Sequence, residues 1–180
     1  MATVTRIFEF DAAHRVMNEK VKCFNLHGHR FKLEVTFQYR SKSALGYAID
    51  FKELKRIVGS WIDEKFDHSC ILNPMDKELI DMCLKNNWRT YIMGMGFVGD
   101  INPSAENLAS EIFYTIKFFY NGKNGVSLEK LRLYETPNCW VEVNESDYVG
   151  TSEFLEDLNN WRKQKGEFNY DIRDEKRENS

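Results

Sequence analysis

Closely spaced histidines are the residues in this sequence with the clearest potential for chemistry. The chain has four histidines, and His27 and His29 are two positions apart just before an alternating apolar and polar run over residues 31–39. Such a run predicts a half-buried strand, on which residues two apart share a face. Both imidazoles should therefore project to the apolar side. Two rings on one face can chelate a metal ion, although a hydrogen-bonded pair at a strand end is the ordinary alternative.

A third imidazole favours the metal interpretation. His14 follows another alternating run, over residues 4–10. If the two runs pair as an antiparallel hairpin, with residues 15–26 as the connection, His14 lies beside the other two rings. Three neutral imidazoles recur as the ligands of catalytic zinc, which keeps a fourth position open for water or substrate. The sequence thus predicts a Zn²⁺ site formed by His14, His27 and His29.

The fourth histidine, His68, directly follows Asp67. A carboxylate beside an imidazole suits proton transfer better than coordination. The pair comes at the end of a predicted helix, since Asp50 and Glu53 form a capping-box pattern and apolar residues recur at helical spacing over residues 54–66. We therefore interpret Asp50 as a helix cap, and Asp67 with His68 as a candidate catalytic dyad.

The rest of the hydrophobic pattern predicts an α+β fold. Residues 104–119 have helical spacing, and residues 129–135 and 139–144 have the pattern of two strands. With the first hairpin they give a four-stranded antiparallel sheet with two main helices on one face. A short extra strand is also expected near residues 90–93. The exposed edges of such a sheet can be paired in a homo-oligomer.

Domain organisation follows from length and charge along the chain. We expect one domain over residues 1–150, with an extended segment at about 74–102. That segment begins with a short helix over residues 74–85, capped by Asn73. Beyond it, residues 151–180 are rich in charged side chains, which predicts an amphipathic helix followed by a frayed tail.

Composition limits the location and the partners. With 180 residues, of which 42% are hydrophobic, the chain is long enough for one substantial core. A net charge of −3 gives no general attraction to nucleic acid or to acidic membranes. The chain has neither a bilayer-spanning apolar run nor a signal-peptide pattern. We expect a cytoplasmic protein whose four cysteines are free thiols, with Cys70, Cys83 and Cys139 as packing residues.

Six short motifs occur in the order found in one enzyme family. They resemble those of the 6-pyruvoyltetrahydropterin synthase / 6-carboxytetrahydropterin synthase family, and the resemblance covers roughly residues 4–143. The spacing between Cys23 and His27 resembles that of the bacterial carboxy branch, which serves the pathway to queuosine and related 7-deazaguanines. The motifs are Phe10-Asp11-Ala12-Ala13-His14, Cys23 with His27-Gly28-His29, Asp50-Phe51, Asp67-His68, Pro103-Ser104-Ala105-Glu106-Asn107 and Glu135-Thr136.

The resemblance implies a fold, a cofactor and a substrate. The family has the tunnelling fold (T-fold), in which three subunits join their sheets into a β-barrel and two trimers stack as a hexamer. Its cofactor is Zn²⁺, and its substrate is 7,8-dihydroneopterin triphosphate. The triphosphate needs basic partners, for which Arg15, Arg30, several lysines and residues of a neighbouring subunit are candidates. The carboxy branch forms 6-carboxytetrahydropterin, acetaldehyde and triphosphate, so the chain is expected to be a carbon–carbon lyase.

Two alternative functions are retained. A 6-pyruvoyltetrahydropterin synthase would eliminate triphosphate and keep all side-chain carbons. A zinc- and pterin-binding protein without turnover is the alternative from another class, and the complete set of acid–base residues argues against it. The mass of the product separates the first alternative from the expected activity.

The resemblance also implies residue roles. Cys23 resembles the catalytic cysteine of the family, and Asp67 and His68 resemble its partner dyad. Glu135 matches the glutamate that anchors the pterin ring, although the sequence alone indicates only a carboxylate at a strand end. Glu106 lies in the first turn of a predicted helix, where stabilisation by the helix dipole and substrate binding are both open roles.

Overall fold

The structure is a computed structural model that describes residues 2–94, 101–120 and 125–147. The charged helix and tail predicted for residues 151–180 lie outside the described residues. So does the part of the extended segment at residues 95–100.

A long antiparallel hairpin forms the centre of the sheet. Strand β1 (Ala2–His14) pairs with strand β2 (His27–Tyr39) along its whole length. Alternate residues of both strands are buried, as the periodicity of the sequence predicts. The register sets His14 directly opposite His27. The predicted hairpin, with its connection at residues 15–26, is confirmed.

Within the described residues the sheet has six strands, in the order β4-β3-β1-β2-β5-β6. The four new strands are β3 (Ser69–Leu72), β4 (Thr90–Ile92), β5 (Val126–Thr136) and β6 (Cys139–Asn144). The predicted antiparallel sheet corresponds to β1, β2, β5 and β6. Strands β3 and β4 join it in parallel, so the sheet is mixed. Strand β4 corresponds to the short strand expected near residues 90–93, whereas β3 was not predicted.

The position of β3 explains why the sequence did not reveal it. This strand has four residues and pairs with β1 only at Ala12–His14. So short a run has no clear alternation, and its pairing depends on contacts between distant parts of the chain.

Two helical segments lie on one face of this sheet. Asp50 caps α1 (Phe51–Leu54) by accepting a hydrogen bond from a backbone N–H at 2.8 Å, which confirms it as a cap. The chain continues through a π-helical turn (Lys55–Gly59) into α2 (Ser60–Lys65). Helix α4 (Ala105–Phe119) is the second segment.

A continuous hydrophobic core lies between the sheet and these helices. Burying such side chains is the main favourable term in folding, at about 25 cal/mol per Å² of apolar surface. The largest fully buried core side chains include Phe31, Leu33 and Phe37 of β2, Leu54 of α1, Phe66, and Leu108, Ile112 and Phe113 of α4.

In the part of the chain that the structure describes, no helix is both long and apolar enough to cross a bilayer.

Helix α3 (Lys77–Lys85) begins later than predicted. Its N-cap is Asp76, whose carboxylate accepts a hydrogen bond from the Leu79 N–H at 3.3 Å. The predicted cap, Asn73, instead accepts a hydrogen bond from the Met75 N–H at 2.8 Å. Asn73 therefore stabilises the turn before the helix, and the prediction of Asn73 as the N-cap is wrong.

Candidate metal centre and catalytic site

The three predicted metal ligands come together at the end of the central hairpin. Their ligand atoms lie within 4.8 Å of one another, and the ring centroids are 4.6 to 5.3 Å apart. His14 ends β1, and His27 and His29 begin β2 on the same face. We call these three residues the histidine cluster. It could hold a metal ion.

The hydrogen bonds of the cluster suit a metal. His14 Nδ1 lies 2.6 Å from the carbonyl oxygen of Pro103, and His27 Nδ1 lies 2.7 Å from that of Asn25. A carbonyl oxygen only accepts, so each Nδ1 carries the hydrogen and each Nε2 keeps a lone pair. His14 Nε2 is also buried without a hydrogen-bond partner. Metal-bound histidines commonly donate their other ring N–H to a carbonyl in this way.

The protonation of His14 suits coordination as well. Burial lowers the pKa of His14, and the neighbouring His27 and His29 rings lower it further. The Pro103 carbonyl and Glu135 act in the opposite direction without reversing the shift. The neutral imidazole is the form that binds a metal, so the environment favours the ligand form of this side chain.

Glu135 lies beside the cluster. Its Oε1 atom is 3.4 Å from His14 Nε2 and 3.9 Å from His29 Nε2. It follows the buried Leu131 and Leu133 on alternate positions of β5, so it shares the cluster's face of the sheet. Its side chain is 30% exposed. A carboxylate here can accept two parallel N–H donors from a planar ring.

Cys23 is exposed and lies in the loop between β1 and β2. Its carbonyl oxygen accepts a hydrogen bond from the Val16 N–H at 2.8 Å. It is not a member of the group of potential ligands found among the described residues. The structure therefore places the Cys23 thiol at the surface of the loop and outside the group of potential ligands.

Asp67 and His68 form a hydrogen-bonded dyad. His68 Nδ1 lies 2.8 Å from Asp67 Oδ2, which leaves Nε2 of a side chain that is 77% exposed. The backbone of His68 is left-handed, with φ of 56°, and its N–H donates to the Asp11 carbonyl at 2.6 Å. The Asp11 N–H in turn donates to Asp67 Oδ1 at 2.9 Å. Arg89 adds a bond to the Asp67 carbonyl at 2.9 Å, so the dyad is held from several sides.

These contacts keep Asp67 ionised. Partial burial raises the pKa of Asp67, but the bond from the Asp11 N–H and the bond with His68 lower it more, with a contribution from Arg89. The pKa therefore lies below its ordinary value. An ionised carboxylate orients the imidazole and stabilises its protonated form, as a proton-transfer pair requires.

His68 of the dyad borders an open groove of about 770 Å³ that crosses β2, β1 and β3. Its lining includes His68 and the small residues Ala13 and Gly28. Asp11 and Arg30 line it too, and their positions alternate with those of the buried side chains. Ala12 and His29 also border the groove, because they lie between these residues on β1 and β2. The groove thus lies on the face opposite to the one on which the cluster projects.

The other predicted site residues are less closely involved. Glu106 is exposed in the first turn of α4, and both of its predicted roles stay predictions. Arg15 is bound by Asp76 through two hydrogen bonds, which makes it a poor candidate for the triphosphate. Arg30 contacts Glu9 at 3.0 Å.

Asp11, Arg89 and Pro103 support the site, and their roles were not predicted. Asp11 and Pro103 lie within the motifs that carry the family resemblance, which was the available signal. No signal in the sequence indicated the role of Arg89, because its side chain contacts Asp67 through the backbone carbonyl oxygen of that residue. Its Nη1 atom also donates to the Asp63 carbonyl at 2.8 Å.

Comparison with known proteins identifies relatives along most of the chain. Residues 3–146 match the 6-pyruvoyl tetrahydropterin synthase family. The 6-carboxy-5,6,7,8-tetrahydropterin synthase of Rickettsia felis is 43% identical over 148 residues, which cover 79% of this chain and 100% of that protein. The protein of the same name from Haemophilus influenzae is 32% identical over 151 residues, covering 81% and 100%.

Solved structures share the fold. An uncharacterized protein from Wolinella succinogenes aligns with a TM-score of 0.63 at 21% identity, over 80% of this chain and 98% of that one. The 6-pyruvoyl tetrahydropterin synthase of Caenorhabditis elegans aligns with a TM-score of 0.56 at 23% identity, over 79% and 94%. At these identities the likeness concerns the fold alone.

Fold and site together define a T-fold protein with a histidine cluster that could bind a metal. The match to a family model shows which family of T-fold proteins this is. The chain belongs to the 6-pyruvoyl tetrahydropterin synthase family. The prediction of a lyase is confirmed at the level of this family.

Proposed function

We propose that this protein is a zinc-dependent 6-carboxy-5,6,7,8-tetrahydropterin synthase of the pathway to queuosine and related 7-deazaguanines. Its substrate is 7,8-dihydroneopterin triphosphate, and one water enters the overall reaction. The products are 6-carboxytetrahydropterin, acetaldehyde and triphosphate. The observation that carries the proposal is the histidine cluster, with the free Nε2 of His14 beside Glu135. The names of the relatives and the spacing of Cys23 and His27 favour the carboxy branch.

His14, His27 and His29 hold the zinc ion in this proposal. When bound, zinc lowers the pKa of substrate hydroxyls and stabilises negative charge that develops beside them. Glu135 accepts the 2-amino and ring N–H groups of the pterin. Charge-assisted pairs of this kind are directional, so Glu135 fixes the ring and thereby directs the side chain of the substrate toward the ion.

Protons are moved by Cys23 and by the dyad. The protons to be removed are on carbons that carry hydroxyls, and they are weakly acidic, so a positioned base is required. Cys23 acts as that base, because a cation nearby lowers the pKa of a thiol. His68 exchanges the second proton through Nε2, with Asp67 orienting its ring. Glu106 is proposed as a further contact to substrate.

The proposed assembly is a homo-oligomer, a hexamer formed by two trimers with barrel-forming sheets. Two features support it. Among the residues that the structure describes, the sheet ends at β4 on one side and at β6 on the other, and strand edges favour pairing with another chain. The groove beside the dyad lies on the face opposite to the cluster, so a second copy is a natural source of the dyad for a given metal centre.

The product decides between the branches. Purified protein loaded with zinc is incubated with 7,8-dihydroneopterin triphosphate, and the pterin is identified by mass spectrometry while acetaldehyde is trapped and measured. The proposal predicts 6-carboxytetrahydropterin and acetaldehyde in equal amounts. A pterin that keeps all its side-chain carbons would instead identify a pyruvoyl synthase, and binding without conversion would identify a non-catalytic protein.

A further inference from the structure

A backbone hydrogen bond to Val16 fixes the loop at Cys23. The Val16 N–H donates to the Cys23 carbonyl at 2.8 Å, so the backbone position of Cys23 depends on that of Val16. The residues on either side of Val16 are Arg15 and Met17. Each of them is bonded to a residue outside the loop.

Arg15 is fixed by a buried carboxylate. Its Nε donates to Asp76 Oδ2 at 2.5 Å and its Nη2 donates to Asp76 Oδ1 at 2.6 Å. Asp76 is 2% exposed, and the Arg15 side chain is 13% exposed. Two parallel charge-assisted bonds fix the direction of a guanidinium as well as its position. Its central carbon lies 5.2 Å from the centroid of the Phe24 ring, and Phe24 directly follows Cys23.

Met17 is fixed by Asn102. The Met17 N–H donates to Asn102 Oδ1 at 2.7 Å, and Asn102 Nδ2 donates to the Met17 carbonyl at 3.0 Å. Asn102 directly precedes Pro103, whose carbonyl accepts the hydrogen bond of His14 Nδ1. The same short segment therefore supports both the loop of Cys23 and the histidine cluster.

We propose that Asp76, acting through Arg15, is a positioning residue that holds Cys23 in register with the histidine cluster, to which the bonds of Met17 with Asn102 connect the same loop. This inference rests on the proposed function, in which Cys23 is the base. A base must lie within hydrogen-bond reach of the proton that it removes. Asp76 would act through its hydrogen bonds to Arg15 and not as a catalytic group.

Conservative variants separate this role from folding. Asp76→Asn keeps the cap of α3, because Asn and Asp are both good N-caps, but removes the charge that binds Arg15. Arg15→Lys keeps the positive charge and loses the two-pronged geometry. The matched control is Arg132→Lys, which makes the same change in the ion pair that Arg132 forms with Glu142 on the outer strands.

The first measurement is amide hydrogen exchange by mass spectrometry on the full-length, zinc-loaded protein. In both variants the amides of residues 16–26 should exchange about tenfold faster, which corresponds to roughly 1.4 kcal/mol of lost local stability. Those of β2 should be unchanged, and Arg132→Lys should match the wild type over residues 16–26. This measurement needs no turnover, so it judges the support of the loop even if the proposed function fails.

The second measurement is steady-state kinetics with 7,8-dihydroneopterin triphosphate. Misplacement of a reacting group by about 1 Å can reduce the rate about 10²-fold. Asp76→Asn and Arg15→Lys should therefore lower kcat by one to two orders of magnitude at nearly unchanged KM and zinc content. The double variant should lose no more than either single variant, because both changes break one contact.

Four results overturn the inference. Unchanged exchange over residues 16–26 would show that the two bonds do not hold the loop. Faster exchange with unchanged kcat would show that the position of the loop does not limit catalysis. A rise in KM would identify a substrate contact instead. A loss of zinc content together with kcat would identify a general structural effect. If the wild type itself has no turnover while the loop loosens as expected, it is the proposed function that fails.

Discussion

The Oε1 atom of Glu135 lies 3.4 Å from the Nε2 atom of His14. The two residues belong to β5 and β1, which are separated by β2 in the sheet, and their side chains meet on one face. A pterin ring held by Glu135 would thus be next to an ion held by the histidines. In the proposed function, Glu135 would bind the ring while the ion at the end of the hairpin would act on the side chain of the substrate.

Replacing Glu135 by glutamine tests the ring contact. Glu135→Gln keeps the shape but turns one acceptor into a donor that faces a donor of the pterin. A mispaired buried group costs about 1–3 kcal/mol, so neopterin should bind about ten to a hundred times more weakly, with the zinc content unchanged. A binding titration of both proteins measures this. Equal dissociation constants would remove the assignment.

Glu106→Gln is the companion variant. If Glu106 binds substrate, its replacement should weaken neopterin triphosphate binding by a similar factor. If the charge of Glu106 only stabilises the N-terminus of α4 through the helix dipole, affinity for the substrate should be unchanged. The protein should then lose about 0.3–1 kcal/mol of stability. The same titration, with a thermal unfolding curve, separates the two roles.

Removing the thiol of Cys23 tests the proposed base. Cys23→Ala should keep its zinc and its unfolding temperature but lose turnover by about 10²-fold or more, as loss of general acid–base catalysis does. Cys139→Ala is the control, because Cys139 is also exposed and lies on the edge strand β6. Equal turnover in Cys23→Ala and wild type would make Cys23 an ordinary loop residue.

The pH dependence of stability reports on Asp67. Because its folded-state pKa is below the ordinary value, its ionised form stabilises the protein above about pH 4, and this contribution is lost as the pH falls through the folded-state pKa. The difference in unfolding free energy between wild type and Asp67→Asn should therefore be largest near neutrality and shrink below about pH 4. Urea unfolding across this range measures it. A difference that is the same at every pH would show that the carboxylate is not held by these hydrogen bonds.

Periodicity predicted the parts of the fold whose pattern is local. The two long strands alternate strictly, so their pairing and the meeting of His14 with His27 followed from the sequence. The cap at Asp50 could likewise be predicted from the sequence, because a capping carboxylate binds the backbone of the next few residues. The start of α3 was misjudged, since Asn73 and Asp76 are both good caps and the choice depends on their distant partners, Asn102 and Arg15.

The less predictable features depend on contacts between distant segments. Strand β3 has too few residues for a pattern, and its parallel partner is β1. The support of Asp67 by Arg89 is made through carbonyl groups, which have no signature in the sequence. The ion pair of Arg15 with Asp76 joins a loop to a helix cap, so Arg15 had only the general features of a basic surface residue.

The metal content of two histidine variants tests the central claim most directly. Wild-type protein purified with zinc should contain about one ion per chain, as three-histidine sites do. His27→Ala should lose most of it, because the site would keep two imidazoles. His68→Ala, which removes the one histidine outside the cluster, should keep its zinc and lose turnover. Full zinc in His27→Ala would contradict the assignment of the metal to this cluster.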